Sequence, residues 1–323
     1  MELAKGRLAA GGLPVMSTSI QLACASDRNY MPHCAAMLHS ALSHGAGHGF
    51  RIHYLHGPDV PARSRELVAG MIERQGGTIS FVEIPDERID GLPITQHFSR
   101  AMWYRIHLPE LLPNVERVLY LDADLIALDS LEPLWETDLK GNYVAAVTNV
   151  FGPWDVDYPA KLGLPSPESY FNTGVLLMDL DEMRADNCTT ALRECALEHG
   201  EAFWFPDQDA MNVVLAGRRL PLHPRWNSMS ALFTFSASVG IFGSDATDEA
   251  RRRPAIRHFE GGGANKPWHY LCDQEMREVY FEHRRETPWP NVRLEGLTPA
   301  NVLRRLTRRT RHRLPRSVGD RSS

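Results

Sequence analysis

The sequence predicts an α/β protein with a mostly parallel central sheet flanked by helices. Short apolar segments alternate with longer helical segments between residues 19 and 82, which is typical of βαβ units. A second observation is the apolar run that follows Arg117 and continues to Ile126, interrupted only by Asp122 and Asp124. A run without polar alternation indicates a strand that is covered on both faces, as in a parallel sheet.

The predicted elements follow one another in chain order. A first strand leads through a polar turn into a helix, and the second helix begins with a proline and ends at Gly76-Gly77, as helices commonly do. Between residues 220 and 258 the pattern is looser. Strands are predicted at 19–25, 50–55, 78–82, 117–121, 143–148 and 171–178, and helices at 32–44, 61–75, 99–111, 181–199 and 207–216.

No internal repeat or low-complexity linker divides the 323 residues, and 43% apolar composition is ample for one large core. We expect a single domain at 18–285, after an unstructured leader at 1–17 and before a basic appendage at 286–323. The leader is too short and too rich in glycine for a signal peptide, and no apolar stretch is long enough to span a membrane. Five widely spread cysteines without a Cys-x-x-Cys pair predict buried thiols in an intracellular protein.

The net charge of −5 hides an asymmetry between the body and the C-terminal segment. Residues 301–323 contain eight Arg and one Asp, so the remaining 300 residues sum to about −12. Such a segment favours contact with an anionic surface, either a membrane or a nucleic acid. A solvated basic arm without a partner is the alternative.

Asp122 and Asp124 are the strongest candidates for a metal site. Side chains alternate along an extended chain, so both carboxylates point the same way while Ala123 points away. Adjacent carboxylates repel each other unless a cation lies between them, and Mg²⁺ and Mn²⁺ prefer oxygen ligands. An acidic loop after a strand is the alternative.

Ligands of open α/β sheets bind beyond the carboxyl ends of the strands, where further candidates lie. Asp27, Asn29 and Tyr30 follow the first strand and have the groups to bind a nucleotide's base and ribose, although Asp27 also suits a helix cap. His97 lies near the start of a predicted helix, and Arg105 lies in its middle. From there they could reach a base or sugar, and a position on the surface is the alternative for both.

Two later clusters carry further polar groups. In the first, His258 completes a metal site, Gly261 and Gly262 allow backbone N–H groups to approach a diphosphate, and Lys266 supplies a positive charge. In the second, Asp207 suits a helix cap and Gln208 projects an uncharged amide into the cleft.

Together these motifs resemble the family 8 retaining glycosyltransferases, the group that contains bacterial lipooligosaccharide galactosyltransferases and glycogenin. The resemblance covers residues 19–270 and includes segments 25–30, 97–105, 119–124, 171–177, 207–209 and 258–268. It implies a single GT-A-type domain that binds a nucleotide sugar.

The resemblance also implies residue roles. Asp122, Asp124 and His258 match the ligands of Mn²⁺, with Mg²⁺ as the alternative ion. The uridine, donor-sugar and diphosphate positions match the following residues: Ala25, Asp27, Asn29, Tyr30, His97, Arg105, Ala123, Asn172, Asp207, Gln208, Gly261, Gly262 and Lys266. Two departures affect the donor contacts: the loop from His258 to Lys266 is about two residues longer than the family pattern, and Arg28 replaces an acidic or small residue.

We therefore expect a catalytic domain that transfers galactose or glucose from UDP-galactose or UDP-glucose to a glycan or glycolipid acceptor, such as lipopolysaccharide, with retention of the α configuration. Gln208, Asn172 and Asp207 are the expected catalytic residues. The enzyme is expected in the cytoplasm, at the inner face of the membrane through its basic segment, and nucleic acid is not an expected partner. An Asp-x-Asp phosphohydrolase and a catalytically silent carbohydrate- or nucleic-acid-binding protein are the alternatives.

Overall fold

The computed structural model describes residues 19–45, 49–94, 99–291 and 293–313, with side chains described as far as residue 307. The strands in chain order are β1 (Ile20–Ser26), β2 (Phe50–His56), β3 (Thr78–Glu83), β4 (Arg117–Leu121), β5 (Leu125–Ala127), β6 (Val144–Ala146), β7 (Val175–Asp179), β8 (Arg219–Pro221), β9 (Ser228–Met229) and β10 (Ile256–His258).

The α-helices surround these strands, and short 3₁₀ helices connect several elements. The α-helices are α1 (Met31–Ser43), α2 (Ala62–Arg74), α3 (Leu108–Leu111), α4 (Glu132–Trp135), α5 (Tyr158–Lys161), α6 (Leu180–Ala185), α7 (Cys188–His199), α8 (Pro206–Val214), α9 (Ser230–Thr234), α10 (Ala237–Phe242), α11 (Ser244–Arg252), α12 (Arg277–Arg285) and α13 (Pro299–Arg313). The 3₁₀ helices are Asp86–Arg88, Arg100–His107, Pro167–Ser169, Pro224–Asn227 and Gly263–Asn265.

A seven-stranded sheet with the order β3-β2-β1-β4-β7-β6-β8 forms the centre of the molecule. β1 to β4 run parallel, β7 is antiparallel to both β4 and β6, and β8 is parallel to β6. The predicted α/β class with a mostly parallel sheet is therefore confirmed.

Both faces of this sheet are buried, which explains why its central strands are continuously apolar. In β1, Leu22 and Cys24 belong to one hydrophobic cluster, whereas Ala23 and Ala25 belong to the cluster on the opposite face. β4 and β7 divide in the same alternating way. The first face is covered by α1 and α2, and the second by α6, α7 and α8.

The apolar run at 117–126 forms two strands that belong to different sheets, and the second of them was not predicted from the sequence. β4 ends at Leu121, and β5 starts a three-stranded sheet of order β5-β10-β9. The intervening turn is held from both sides, because Asp122 N–H donates to Gly174 O at 2.9 Å and Phe259 N–H donates to Asp124 O at 3.1 Å. The two aspartates therefore lie at the junction of the sheets.

Two predicted helices also differ from the observed ones. The segment predicted as a helix at 99–111 begins as the 3₁₀ helix Arg100–His107. Pro109 has no N–H to donate to Arg105 O, which instead accepts from Leu108 N–H. The predicted helix 181–199 is divided into α6 and α7 by Asn187, whose left-handed φ of 54° interrupts the helix.

The segment beyond residue 285 contacts the body at several points. The Trp289 side chain packs against the core, and Arg284 Nε donates to Trp289 O at 3.1 Å. His269 forms a β-bridge with Glu295, and Arg305 donates to Tyr270 O at 2.6 Å. The division at residue 285 remains a prediction.

Two other expectations concern thiols and membrane spans. The five cysteines are free thiols, and Cys195 is the one that is not fully buried. Among the helices in the described part of the chain, none has both the length and the apolar character needed to cross a bilayer.

Candidate active site

The structure brings Asp122, Asp124 and His258 together, with one potential ligand atom from each within 4.8 Å of the others. The two aspartates come from the turn between β4 and β5. His258 is the last residue of β10, whose antiparallel register pairs it with Leu125, directly after Asp124. The pairing of two strands thus places an imidazole beside carboxylates that precede it by more than 130 residues in the sequence.

Each of the two carboxylates contacts its own buried cation. Arg105 donates to Asp122 Oδ1 at 2.7 Å, and Lys266 Nζ contacts Asp124 Oδ2. Burial by itself raises the pKa of the Asp124 carboxyl, but Lys266 and His258 together outweigh it and hold this pKa well below its ordinary value. The Asp124 carboxylate is therefore ready to act as an anionic ligand.

The remaining ligand atoms face one another across a small space. Asp122 Oδ1 already accepts from Arg105 and Tyr120, whereas Oδ2 is directed toward Gly174. A Cβ at Gly174 would lie 2.5 Å from His258 Cε1 and 3.0 Å from Asp122 Oδ2, so a side chain here would fill this space. Two carboxylates and one imidazole nitrogen around such a space fit a divalent ion such as Mn²⁺ or Mg²⁺.

Arg105 links this cluster to Asp207. Its Nε lies 3.2 Å from Asp207 Oδ2, and its guanidinium also donates to Thr173 O at 2.7 Å. Burial lowers the pKa of Arg105, but Asp122 above all reverses this effect, so the guanidinium stays charged. Burial raises the pKa of Asp207 to about 6, although Arg105 opposes the shift.

Asn172 and Gln208 form a buried amide pair behind the carboxylates. Asn172 Nδ2 donates to Gln208 Oε1 at 3.1 Å, and Thr173 N–H donates to the same oxygen at 3.0 Å. The other end of the Gln208 amide donates to Tyr170 OH at 3.0 Å. The Gln208 side chain is therefore held firmly, with 8% of the residue exposed at the cleft.

The segment after β1 also lies beside this site. Asp27 Oδ1 accepts from the N–H groups of Asn29 and Tyr30, at 2.8 and 2.9 Å, so it caps the turn before α1. The Tyr30 ring packs edge-on against Trp268, with centroids 5.5 Å apart. Asn29 is exposed, and a nucleotide-binding role for these residues remains a prediction.

The glycine-rich segment, which contains Gly261, Gly262 and Gly263, bends beside Lys266. Gly261 and Gly263 adopt φ angles of 84° and 55°, which side chains other than glycine rarely tolerate. Glu260 accepts from Ser230 and Ala231 N–H at 2.6 and 2.8 Å, which ties the segment to the start of α9. Gly262 lies in open surroundings between these anchors.

The remaining predicted donor-binding residues differ in their placement. Ala25 is the penultimate residue of β1 and 7% exposed, and Ala123 is 8% exposed between the two aspartates. His97 lies outside the described residues.

Sequence reasoning assigned no role to two buried polar residues of this site. Asn227 contacts both His258 and Asn172, and Asp209 accepts hydrogen bonds from Tyr158 and Tyr170. Asn227 lies in the stretch after residue 220, where no periodicity is readable. Asp209 directly follows the predicted site residue Gln208 in the sequence, and this position was the one available sequence signal that Asp209 belongs to the site.

The fold and the clustered carboxylates agree with the comparisons to known proteins. The model of "Glycosyl transferase family 8" matches residues 21–272, which is most of the chain. The chain belongs to this family. The crystal structure of the galactosyltransferase LgtC in complex with donor and acceptor sugar analogs superposes with a TM-score of 0.75 at 28% identity, covering 83% of this chain and 96% of LgtC.

Curated relatives of this family 8 glycosyltransferase support the same classification. General stress protein A of Bacillus subtilis (strain 168) is 27% identical over 277 residues, covering 84% of this chain and 94% of the relative. The lipopolysaccharide glucosyltransferase WaaO of Escherichia coli (strain K12) is 25% identical over 296 residues, covering 88% and 83%. The single-domain GT-A-type architecture expected from the sequence is confirmed by the LgtC structure.

We predict that Asp124→Asn destabilises the metal-free protein more than Asp122→Asn does. The first change leaves the Lys266 ammonium, 6% exposed, without a carboxylate, and an unpaired buried charge costs about 3–5 kcal/mol. The second leaves Arg105 paired with Asp207. Urea unfolding in EDTA measures the two free energies of unfolding.

The double variant Asp124→Asn/Lys266→Met is the control, because it removes the ammonium together with its partner. It should regain a large part of the lost stability. Equal losses for the two single variants would contradict the pairing of Lys266 with Asp124.

Proposed function

We propose that this protein is a metal-dependent, retaining hexosyltransferase that uses a UDP-sugar donor and a glycan acceptor. The proposal rests on one observation: the carboxylate–imidazole cluster lies next to the buried amides of Asn172 and Gln208. A charged cluster suits a diphosphate, and adjacent uncharged amides suit the hydroxyl groups of a sugar. The named relatives include a galactosyltransferase and a lipopolysaccharide glucosyltransferase, which supports a hexose donor.

Departure of UDP concentrates negative charge on the β-phosphate, and the site's cations face this charge. Asp122, Asp124 and His258 would hold the divalent ion, which supplies electrostatic stabilisation of the leaving group when bound. Lys266 belongs to the same cluster and adds a fixed positive charge. The glycine-rich segment offers backbone N–H groups as further donors.

We attribute retention of the α configuration to the uncharged side chain of Gln208. An amide is a poor nucleophile, so we infer attack by the acceptor on the same face that UDP leaves, without a long-lived covalent intermediate. Asn172 and Gln208 would orient the sugar and stabilise its positive centre. Asp207 forms an ion pair with Arg105 and helps to orient its guanidinium group.

The two alternatives are less consistent with these contacts. An Asp-x-Asp phosphohydrolase uses one free carboxylate as nucleophile, whereas both aspartates here contact buried cations. A catalytically silent binding protein has no need for a charged cluster beside two buried amides, because such groups are costly to bury.

We predict that UDP-galactose or UDP-glucose is hydrolysed slowly in the presence of Mn²⁺, that EDTA abolishes this reaction, and that Asp122→Asn lowers it at least 100-fold. With an acceptor glycan, proton NMR of the first product should show an α linkage. Both results follow from a metal-held diphosphate and same-face attack.

Gln75→Glu provides the control, because it changes a side chain at the end of α2, far in sequence from every predicted site residue. This variant should retain wild-type turnover. A β-linked product, or full activity in EDTA, contradicts the proposed function.

An exposed aromatic surface formed by Trp204 lies near the amide pair, and we assign it to the acceptor. Trp204 stacks on the buried Tyr158 at 3.9 Å with an angle of 8° between the rings. Tyr158 OH donates to Asp209, beside Gln208, at 2.5 Å. Trp204 is 43% exposed, and a flat aromatic face with a polar edge suits the rings of a glycan.

We predict that Trp204→Ala raises KM for the acceptor about 5- to 10-fold, which corresponds to ~1 kcal/mol of lost aromatic contact, while donor hydrolysis is unchanged. Steady-state kinetics with varied acceptor measure this difference. Leu197→Ala is the control, because it shortens another exposed apolar side chain, on α7. An unchanged acceptor KM in Trp204→Ala removes this surface from the acceptor site.

The basic segment is proposed to bring the enzyme to the cytoplasmic face of an anionic membrane. Arg305 holds α13 to the body through Tyr270 O and lies 4.8 Å over the Tyr270 ring. Leu303 and Leu306 are 63% and 56% exposed on this helix, next to several arginines. An amphipathic basic helix of this length suits the surface of a bilayer, where each Arg contributes about 1 kcal/mol.

We predict that the full chain binds anionic vesicles at low salt, whereas a chain ending at Leu297 does not and still hydrolyses UDP-sugar. Co-sedimentation measures binding, and neutral vesicles serve as the control. Failure of the full chain to bind anionic vesicles rules out the membrane contact.

A further inference from the structure

A chain of buried side-chain hydrogen bonds joins the metal-ligand cluster to the amide pair. His258 Nδ1 lies 2.9 Å from Asn227 Oδ1, and Asn227 Nδ2 donates to Asn172 Oδ1 at 2.8 Å. Asn172 Nδ2 then donates to Gln208 Oε1 at 3.1 Å. The chain ends on Asp209, which receives the hydroxyl of Tyr170, the acceptor for Gln208 Nε2.

Two backbone N–H groups determine which way these amides point. Gly174 N–H donates to Asn172 Oδ1 at 3.0 Å, and Thr173 N–H donates to Gln208 Oε1 at 3.0 Å. A backbone N–H is always a donor, so both acceptor oxygens are assigned without ambiguity. Asn227 must therefore present its NH₂ to Asn172, and its oxygen is left facing His258.

This orientation has a consequence for the imidazole. Because Asn227 Oδ1 accepts, Nδ1 of His258 carries a proton, and Nε2 is the ring nitrogen that is left to bind a cation. Nε2 lies 3.4 Å from Asp124 Oδ1, inside the cluster. A divalent ion between these two atoms would bind both of them.

The fold places Asn227 beside His258 by strand pairing. Asn227 ends a 3₁₀ helix directly before β9, and the parallel register of β9 and β10 pairs Met229 with His258. Asn227 and its partners Asn172 and Gln208 are 0%, 7% and 8% exposed. Each buried amide needs its partners, because an unsatisfied polar group in such a network destabilises the fold.

We propose that Asn227 is a positioning residue that sets the tautomer of His258 and, through its NH₂ group, the orientation of Asn172 and Gln208. Asparagine alone among the isosteric choices serves both partners, since Asp accepts from His258 but does not donate to Asn172. The metal ligand and the amides are thereby ordered as one unit. The kinetic consequence rests on the proposed function, whereas the tautomer does not.

The first experiment reads the tautomer in the metal-free protein by ¹⁵N NMR of labelled histidine, with the His258 signals assigned from their loss in His258→Gln. At a pH high enough to keep the imidazole neutral, the wild type should show a protonated Nδ1 and an unprotonated Nε2. Asn227→Ala should shift His258 toward the Nε2–H form. An Nε2–H tautomer in the wild type, or an unchanged tautomer in Asn227→Ala, overturns the proposal.

The second experiment tests the contact of Asn227 with His258 separately from its contact with Asn172. It combines Mn²⁺ titration by calorimetry with UDP-sugar kinetics. Asn227→Asp keeps an acceptor for His258, so its Mn²⁺ affinity should equal or exceed that of the wild type, while kcat/KM falls about 10- to 100-fold. Asn227→Ala should weaken Mn²⁺ binding about 10-fold as well. Wild-type kcat/KM in Asn227→Asp contradicts the link to Asn172.

Asn142→Asp is the matched control, because this amide contacts only Leu139 O in a turn. It should leave the tautomer, the Mn²⁺ affinity and kcat/KM unchanged. If Asn227→Ala does not fold, as judged by urea unfolding, the isosteric Asn227→Asp still decides through the kinetic split. If the wild type neither binds Mn²⁺ nor hydrolyses a UDP-sugar, the proposed function fails, and the tautomer alone then decides about Asn227.

Discussion

The structure depends on how charge is balanced around two neighbouring, partly buried carboxylates. Asp122 and Asp124 are separated by one residue, and each contacts a buried cation from another element, Arg105 and Lys266. Buried charges are stable only when they are paired and hydrogen-bonded. The elements that carry these cations must therefore pack in one arrangement, and this requirement ties the 3₁₀ helix Arg100–His107 and the glycine-rich segment to the same turn.

The junction of two sheets makes this arrangement geometrically accessible. The large sheet supplies β4 and β7, whose antiparallel pairing sets Gly174 against Asp122, and the small sheet supplies His258. Behind the junction, Asn227, Asn172 and Gln208 extend the polar network into the core without leaving an unpaired amide. The charged region that suits a diphosphate is thus adjacent to the uncharged region that suits a sugar.

Much of the fold was predictable from local pattern, because the signal lies in short stretches. The first strands and helices agree with their predicted bounds to within a few residues, since apolar periodicity and glycine or proline boundaries act locally. The second strand at Leu125–Ala127 and the break at Asn187 were missed, because local composition does not reveal that the chain enters another sheet or adopts one left-handed residue. The irregular region after residue 220, which holds Asn227, carried no periodic signal.

The sequence by itself determined the α/β class, the doubly covered strands and the two adjacent carboxylates, because side-chain alternation and burial follow from local composition. The tertiary structure alone decided which groups meet them. Lys266 contacts Asp124 rather than open solvent, and Asn227 faces both His258 and Asn172. These contacts join residues that are 31 to 142 positions apart, and only the packing of two sheets brings such residues within hydrogen-bonding distance.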